Sequence, residues 1–229
     1  MRTVKVPRRR GHIEEDVRIL PHGLTGKLVI PADPCGLVVF VHGSGSSRFS
    51  PRNTQVAQAL NSRGIATLLF DLLTTDEEGD RANVFDIQLL TDRLLDVIDW
   101  LGTRADVGHL PLGLFGASTG VAAALMASAQ LPGRVTAVVS RGGRPDLAGK
   151  YLGVALAPTL LIVGGADLSV LKLNERAMDQ LPGVKSLRII PHATHLFAEQ
   201  GALDEVTQLA GEWFCTCFAK ARATETPTG

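Results

Sequence analysis

The chain has 229 residues, of which 45% are hydrophobic, and its 23 lysine and arginine residues balance 23 aspartate and glutamate residues. This neutral charge argues against a nucleic-acid or membrane-surface partner, and no apolar run approaches the length of a membrane span. With no signal-peptide pattern at its start, we expect a cytoplasmic protein with a single domain over 1–229, including an N-terminal arm at 1–11 and a frayed tail at 222–229.

Short apolar segments alternate with longer amphipathic segments along the chain. A pair of strands joined at the turn Pro21-His22-Gly23 is predicted at 12–20 and 24–30. Further strands are predicted at 37–41, 66–70, 112–115, 135–139, 159–163 and 186–190. Helices are predicted at 51–63, at 84–101, in the alanine-rich segment after residue 120, at 171–181 and at 202–219.

This alternation of strands and helices indicates an α/β fold. The continuous apolar stretch at 37–41 is typical of a strand in the buried middle of a parallel sheet. We therefore expect three layers, with a mostly parallel sheet of about seven or eight strands and an antiparallel N-terminal strand pair. The segment between 139 and 159 is too short for a helical lid domain, so none is expected.

The motif Gly116-Ala117-Ser118-Thr119-Gly120 joins a predicted strand directly to a predicted helix. This G-x-S-x-G pattern in a strand-turn-helix context is the nucleophile elbow of serine hydrolases. The serine sits on so tight a turn that side chains two residues before and after it would clash, which favours glycine at both positions. The motif predicts Ser118 as a nucleophile, although a buried turn serine remains the alternative.

A serine nucleophile needs a base and a carboxylate that orients the base. Active sites of open α/β sheets form at the carboxyl ends of strands, and the expected chain order is serine, acid, histidine. Asp167 and His195 follow the predicted strands 159–163 and 186–190 in that order. His192 competes with His195, which we prefer because the apolar Leu196 and Phe197 would anchor it. These two histidines could also form an H-x-x-H metal pair, but no glutamate or cysteine partner lies nearby, so no metal site is predicted.

The negative charge that develops on an attacked carbonyl oxygen needs backbone N–H donors. One is expected from Thr119, which follows the nucleophile, and the second from the loop after the strand 37–41. In that loop we predict the N–H of Ser44 as the donor, with Gly45 as the alternative.

The same loop almost matches the dinucleotide-binding pattern G-x-G-x-x-G, and Asp71 ends the next strand as a ribose-binding acid would. Arg48 replaces the third glycine, however, and the following helix begins only near residue 51. A dinucleotide site would also leave the serine, aspartate and histidine without a role, so no cofactor is predicted.

Three arginines follow strands at the predicted catalytic edge: Arg48, Arg141 and Arg144. They could present a guanidinium fork to a carboxylate or phosphate on the substrate, with Gly142 allowing close approach to the backbone. Alternatively, they brace loops through backbone carbonyls and Asp146, or are solvated. The three cysteines, Cys35, Cys215 and Cys217, are expected to be reduced thiols because their number is odd and their positions are scattered.

Five segments resemble the α/β-hydrolase superfamily: VHGSGSSRFSPRN (41–53), GASTG (116–120), SRGGRPDL (140–147), LLIVGGAD (160–167) and PHATHLF (191–197). Within it the chain resembles the small lidless proteins related to dienelactone hydrolases, and especially a bacterial subgroup attached to, or encoded beside, phosphoribosyltransferase domains. The resemblance implies Ser118 as nucleophile, Asp167 as acid and His195 as base. It also implies a possible association with a phosphoribosyltransferase.

Authentic dienelactone hydrolases use a cysteine nucleophile, whereas this chain has Ser118. This departure favours acyl transfer of the esterase type on a small acyl substrate, which is anionic if the arginines bind it. The predicted function is therefore hydrolysis of an ester, thioester or lactone through an acyl-enzyme. The alternative is a hydrolase fold that binds or scaffolds a partner without catalysis.

Overall fold

An eight-stranded sheet forms the centre of the computed structural model, which describes residues 12–225. Its strands are β1 (Ile13–Ile19), β2 (Leu24–Ile30), β3 (Leu37–Val41), β4 (Ala66–Phe70), β5 (Leu112–Ala117), β6 (Val135–Arg141), β7 (Thr159–Gly164) and β8 (Lys185–Ile190). Their order across the sheet is β1-β2-β4-β3-β5-β6-β7-β8. β2 pairs antiparallel with both β1 and β4, and the other neighbours are parallel.

In the described part of the chain, seven α-helices connect and cover these strands: α1 (Pro51–Ser62), α2 (Thr75–Glu78), α3 (Arg81–Phe85), α4 (Ile87–Thr103), α5 (Gly120–Gln130), α6 (Leu168–Gln180) and α7 (Ala202–Glu225). A 3-10 helical segment spans Pro145–Val154. Within residues 12–225, no helix has the length and apolar character needed to cross a membrane.

The two faces of the sheet carry separate apolar cores, which gives the expected three layers. On one face, α1 and α7 pack through residues such as Leu60, Phe214 and Phe218. The other face is covered by apolar residues of α4, α5 and α6. Glycines allow the close approach of α7: a Cβ atom at Gly113 would lie 2.5 Å from the Phe214 ring. The predicted α/β fold, with its antiparallel N-terminal pair, is confirmed.

The structure differs from the predicted elements in one helix that is divided and in helical segments that were not predicted. The predicted helix at 84–101 is divided at Asp86, which ends α3 and caps α4 by accepting from the Leu89 N–H. The short helix α2 and the segment Pro145–Val154 were not predicted. Between β6 and β7, that 3-10 segment is the only helical element.

The termini are described only in part. Helix α7 continues to Glu225, so the first residues of the predicted frayed tail at 222–229 belong to a helix. The predicted N-terminal arm at 1–11 and residues 226–229 lie outside the described residues.

Candidate active site

Ser118 lies at the sharp turn between β5 and α5, at the carboxyl edge of the sheet. Its φ of 50° falls in the left-handed region, which non-glycine residues rarely adopt. The half-buried serine is held there by its neighbours, because its carbonyl accepts from the Arg144 N–H at 3.0 Å and its N–H donates to the Arg141 carbonyl at 3.3 Å. Such an enforced conformation is typical of functional sites.

The two glycines of the motif are required by close packing. A Cβ atom at Gly116 would lie 2.5 Å from the Cα of Val121, and one at Gly120 would lie 2.2 Å from the Val41 carbonyl oxygen. Both distances are too short for any side chain. The turn therefore depends on glycine at these positions, for the steric reason that the sequence indicated.

Asp167 follows β7 and occupies the N-cap position of α6, yet its side chain makes no capping hydrogen bond. Its Oδ2 atom instead lies 2.7 Å from Nδ1 of His195. The other carboxylate oxygen accepts a hydrogen bond from the Ser169 hydroxyl at 3.3 Å. The Asp167 side chain is only 12% exposed and that of His195 is 42% exposed, so the pair presents the histidine ring to solvent.

Backbone contacts bring the two loops of this pair together. The Ala166 N–H donates to the Ala193 carbonyl at 2.9 Å, and a Cβ atom at Gly164 would lie 2.2 Å from that same carbonyl oxygen. The glycine at the end of β7 therefore allows the loop after β8 to lie directly over it. This approach places Asp167 beside His195, although 28 residues separate them in the chain.

His195, and not His192, makes the contact with the acid. The ring of His192 is exposed, has no hydrogen bond to any described residue and belongs to a residue with φ of 61°. Phe197 anchors the loop, because it is buried against the sheet. Leu196, which was expected to help anchor it, is exposed.

Ser118 and His195 approach each other through the end of β6. The serine N–H is bonded to the carbonyl of Arg141, and the next residue, Gly142, has a φ of 53°. A Cβ atom at Gly142 would lie 3.3 Å from the His195 carbonyl oxygen and 3.5 Å from its Nδ1. Among residues 12–225, no hydrogen bond joins the serine hydroxyl to the histidine ring. The structure therefore places Ser118, Asp167 and His195 at one edge of the sheet, but the serine and the histidine are not hydrogen-bonded to each other.

The loop after β3 packs against the elbow. A Cβ atom at Gly43 would lie 2.8 Å from the Cβ of Ser118. The next residue, Ser44, donates its N–H to the Thr119 hydroxyl oxygen at 2.9 Å. Gly45 is exposed and has a φ of 69°. The two predicted N–H donors, from Thr119 and Ser44, therefore lie on neighbouring segments. The Ser44 N–H is bonded to the Thr119 hydroxyl.

His42, which was not predicted as a site residue, holds this loop against the segment that follows β4. Its Nε2 accepts from the Leu72 N–H at 3.1 Å, so Nδ1 carries the proton and donates to the Gly43 carbonyl at 3.0 Å. Burial lowers the pKa of His42, which favours this neutral form. The position of a histidine directly before the glycine loop was the signal that could have identified it.

Arg48 and Arg144 are already paired with carboxylates. Arg48 forms an ion pair with Asp71 and also donates its backbone N–H to that carboxylate at 2.7 Å. Arg144 makes two hydrogen bonds to Asp146, at 2.8 and 2.7 Å. These contacts correspond to the loop-bracing interpretation of both arginines. In the dinucleotide interpretation Asp71 would bind the ribose. In the structure its carboxylate forms an ion pair with Arg48.

Arg141 differs from both, because it is only 8% exposed and makes no ion pair with any described carboxylate. Its Nη2 atom donates to the side-chain oxygen of Asn53 at 3.3 Å. The adjoining loop is held by Asn174, a buried residue of α6 whose amide donates to the Gly143 carbonyl at 3.0 Å. Asn174 lies on a predicted helix with no motif around it, so no sequence signal pointed to this role.

The three cysteines are free thiols. Burial raises the pKa of Cys35 and of Cys217, which disfavours their reactive thiolate forms. Over residues 12–225, no cluster of histidine, cysteine, aspartate and glutamate side chains is suited to hold a metal ion.

Comparison with known proteins identifies close relatives. No protein-family model matches the chain. A dienelactone hydrolase from Anabaena variabilis of known crystal structure is 54% identical and superposes with a TM-score of 0.85, covering 90% of this chain and 97% of that protein. Est1E from Butyrivibrio proteoclasticus shares the fold at 17% identity, with a TM-score of 0.73 over 92% of this chain and all of Est1E.

A longer relative has a different name. A Mycobacterium tuberculosis protein provisionally named a phosphoribosyl transferase is 57% identical over 203 residues, which represent 88% of this chain. The match covers 46% of that protein, so the chain spans about half the length of this relative.

Proposed function

Because this chain belongs to the dienelactone hydrolase family of α/β hydrolases, we propose that it is a serine hydrolase that cleaves a carboxylic ester, thioester or lactone of a small substrate. Ser118 is the nucleophile, His195 the general base and acid, and Asp167 the residue that orients the base. The relative of known structure is called a dienelactone hydrolase, and we propose a related ester or lactone substrate for this chain.

The hydrogen bond between Asp167 and His195 carries this proposal. A carboxylate can only accept, so the 2.7 Å contact assigns the proton to Nδ1 of the imidazole. The lone pair of Nε2 is then free to accept the serine proton, as in serine hydrolases generally. Asp167 could have capped α6 with the same side chain, and its use on the histidine supports a catalytic role.

In the acylation step, Nε2 of His195 takes the proton from the Ser118 hydroxyl as the serine oxygen attacks the substrate carbonyl carbon. The carbonyl π electrons move to its oxygen, which becomes negatively charged. As the tetrahedral species collapses, the bond to the leaving group breaks, and His195 donates its proton to the leaving alkoxide or thiolate. An acyl group on Ser118 and a free alcohol or thiol remain.

Deacylation repeats the same transfers with water. His195 takes a proton from water while the water oxygen attacks the acyl carbon, and it returns the proton to the serine oxygen as the acid leaves. In both steps, the Thr119 N–H is one donor to the oxyanion and the Ser44 N–H is the other. The Ser44 N–H donates to the Thr119 hydroxyl in the resting site, and it keeps this bond while it also donates to the oxyanion.

The openness of the site supports a small substrate. The His195 side chain is 42% exposed. Between β6 and β7, where a lid domain could be inserted, there is only a short 3-10 segment. A long acyl chain would gain little burial here, so we propose short or compact acyl groups.

The decisive experiment compares Ser118→Ala with the parent on p-nitrophenyl acetate. We expect kcat to fall by at least about a thousandfold, because triad residues act as a unit. Ser62→Ala, which changes an exposed serine of α1, is the matched control and should retain parental activity. A fluorophosphonate probe should label the parent and the control but not Ser118→Ala. Parental turnover by Ser118→Ala would exclude this nucleophile.

The length of the Mycobacterium tuberculosis relative supports a second proposal, that this hydrolase unit works beside a phosphoribosyltransferase. In the strongest form of this proposal, the chain binds the phosphoribosyltransferase and catalyses no reaction of its own. Folded parent protein that resists the fluorophosphonate probe and hydrolyses no ester, thioester or lactone would favour this binding role. Covalent labelling at Ser118 would favour the enzyme.

A further inference from the structure

Asn174 is a polar residue in the middle of α6 that no step of the proposed reaction uses. It is completely buried, and its amide nitrogen donates to the Gly143 carbonyl at 3.0 Å and to the Val170 carbonyl, one helical turn earlier, at 2.8 Å. Carbonyl oxygens can only accept, so the NH₂ group of the amide must face both of them. The side-chain oxygen of Asn174 is therefore left buried, without a hydrogen-bond partner in the described chain.

An asparagine is unfavourable for stability at this position in two ways. A buried oxygen without a donor loses its hydrogen bonds to water and gains none in return. Asparagine is also a weak helix former in the interior of a helix. A leucine, which has the same branched shape, would avoid both costs but could not donate to Gly143. The bond to Gly143 is therefore what the asparagine adds to the molecule.

The loop 141–144, which follows β6, binds the backbone of the proposed nucleophile on both sides of its side chain. The Ser118 N–H donates to the Arg141 carbonyl at 3.3 Å, and the Arg144 N–H donates to the Ser118 carbonyl at 3.0 Å. Gly143 lies between these two bonds in the chain, and its carbonyl accepts from Asn174. The amide of Asn174 thus anchors the middle of the loop that holds Ser118.

This loop has little room to move without breaking its contacts. A Cβ atom at Gly143 would lie 2.1 Å from the hydroxyl oxygen of Ser140 and 2.5 Å from a methyl carbon of Val121 on α5. Because Gly143 is packed so closely between β6, α5 and α6, the hydrogen bond from Asn174 determines the direction of its carbonyl and with it the path of the loop.

Helix α6 carries both this anchor and the proposed acid. Asp167 is the N-cap residue of α6 and lies 2.7 Å from His195, and Asn174 follows two turns later. The loop 141–144 also packs against the base, since a Cβ atom at Gly142 would lie 3.5 Å from Nδ1 of His195. One helix is therefore connected to the histidine through Asp167 and to the serine through Asn174 and the loop.

We propose that Asn174 is a positioning residue of the hydrolase: it fixes the loop 141–144 through the Gly143 carbonyl, and the loop holds Ser118 where its hydroxyl can reach His195. This inference rests on the proposed function, because it takes Ser118 as the nucleophile. Asn174 itself touches neither the substrate nor the reacting atoms. Its effect on the rate comes from geometry, since a displacement of about 1 Å can cost about a hundredfold in rate.

Asn174→Leu tests this role, because leucine keeps the shape of the side chain and removes its donors. We expect kcat on p-nitrophenyl acetate to fall by about ten- to a hundredfold with little change in KM, because the open site still binds the ester while the serine is displaced. Tm should change little, because the lost bond to Gly143 is offset by removal of the unpartnered oxygen. Asn174→Ala, which adds no bulk, is the second variant and should lower kcat in the same way.

Asn61→Leu is the matched control. The Asn61 amide on α1 also donates two hydrogen bonds, to the Ile65 carbonyl at 2.9 Å and to the Thr67 hydroxyl at 3.0 Å. These bonds join α1 to β4 and the residue before it, and they do not involve the loop 141–144. We expect a lower Tm for this variant, because it loses both bonds, together with the parental kcat.

The rate and the extent of labelling by the fluorophosphonate probe distinguish a displaced serine from a partly unfolded protein. In Asn174→Leu, labelling of Ser118 should reach completion at a rate reduced by about the same factor as kcat, because the probe needs the same attack by the serine. Incomplete labelling at the parental rate, or parental kcat and labelling rate in both Asn174 variants, would overturn the positioning role and leave the proposed hydrolase intact. A parent protein that neither hydrolyses esters nor takes the label would overturn both.

Discussion

The backbone N–H of Ser44 donates a 2.9 Å hydrogen bond to the hydroxyl of Thr119, a residue 75 positions further along the chain. The bond joins the loop after β3 to the residue that follows the proposed nucleophile. It keeps the two segments that carry the proposed oxyanion donors next to each other. The Thr119 side chain is thus a positioning group in addition to the backbone donor that the sequence predicted.

Thr119→Val tests this positioning role, because valine keeps the shape of threonine but cannot accept a hydrogen bond. We expect kcat to fall by about tenfold, the value of one hydrogen bond, with little change in KM, because the oxyanion forms only after attack. Thr119→Ser restores the acceptor and should recover most of kcat. A KM effect in place of a kcat effect would show that the hydroxyl acts in substrate binding.

Asp167→Asn tests the orientation of His195. The amide can donate to Nδ1 and thereby favour the tautomer with its proton on Nε2, which cannot act as a base. We expect kcat on p-nitrophenyl acetate to fall by about ten thousandfold, as in triads of other hydrolases, while Tm changes little. Asp204→Asn, an exposed carboxylate at the start of α7 that accepts from Gln55, is the control. Retention of more than a tenth of parental kcat in Asp167→Asn would contradict the assignment.

The two histidines of the loop after β8 are predicted to behave differently. His195→Gln removes the base and should lower kcat by at least about a thousandfold. His192→Gln should keep activity within a few-fold of the parent, since its exposed ring makes no hydrogen bond to a described residue. Steady-state kinetics with the same ester measure both effects. A larger loss for His192→Gln would reverse the assignment of the base.

His42 should make stability depend on pH. Burial lowers its pKa in the folded protein, whereas histidine in the unfolded chain titrates near about 6.5. Between these two pKa values the unfolded chain binds more protons, so the free energy of unfolding decreases as pH falls below about 6.5. Between pH about 7 and about 5.5, Tm should therefore fall more in the parent than in His42→Gln.

The matched control for this titration is His109→Gln, which changes an exposed histidine. It should show the same pH dependence of Tm as the parent. Identical slopes for the parent and His42→Gln would mean that His42 does not titrate in this range.

The sequence by itself determined the architecture and the order of the proposed catalytic residues, because both depend on local signals. The apolar run of β3 is typical of a buried strand, and the requirement for glycine at positions 116 and 120 follows from the tightness of one turn. Parallel strands place the residues that follow them at a common edge, so Asp167 and His195 could be assigned to that edge from chain order alone. Their roles in catalysis stay predictions.

Only the tertiary structure decided which partner each polar side chain takes. Asp167 could cap α6 or bind His195, and the close approach of two loops over Gly164 determines the choice. Arg48 and Arg141 look alike in sequence, but of these two only Arg48 forms an ion pair with a carboxylate in the part of the chain that the structure describes. The physical reason is that hydrogen bonds and ion pairs depend on distances of a few ångströms between segments far apart in the chain. Those distances are set by the packing of the whole sheet and its helices.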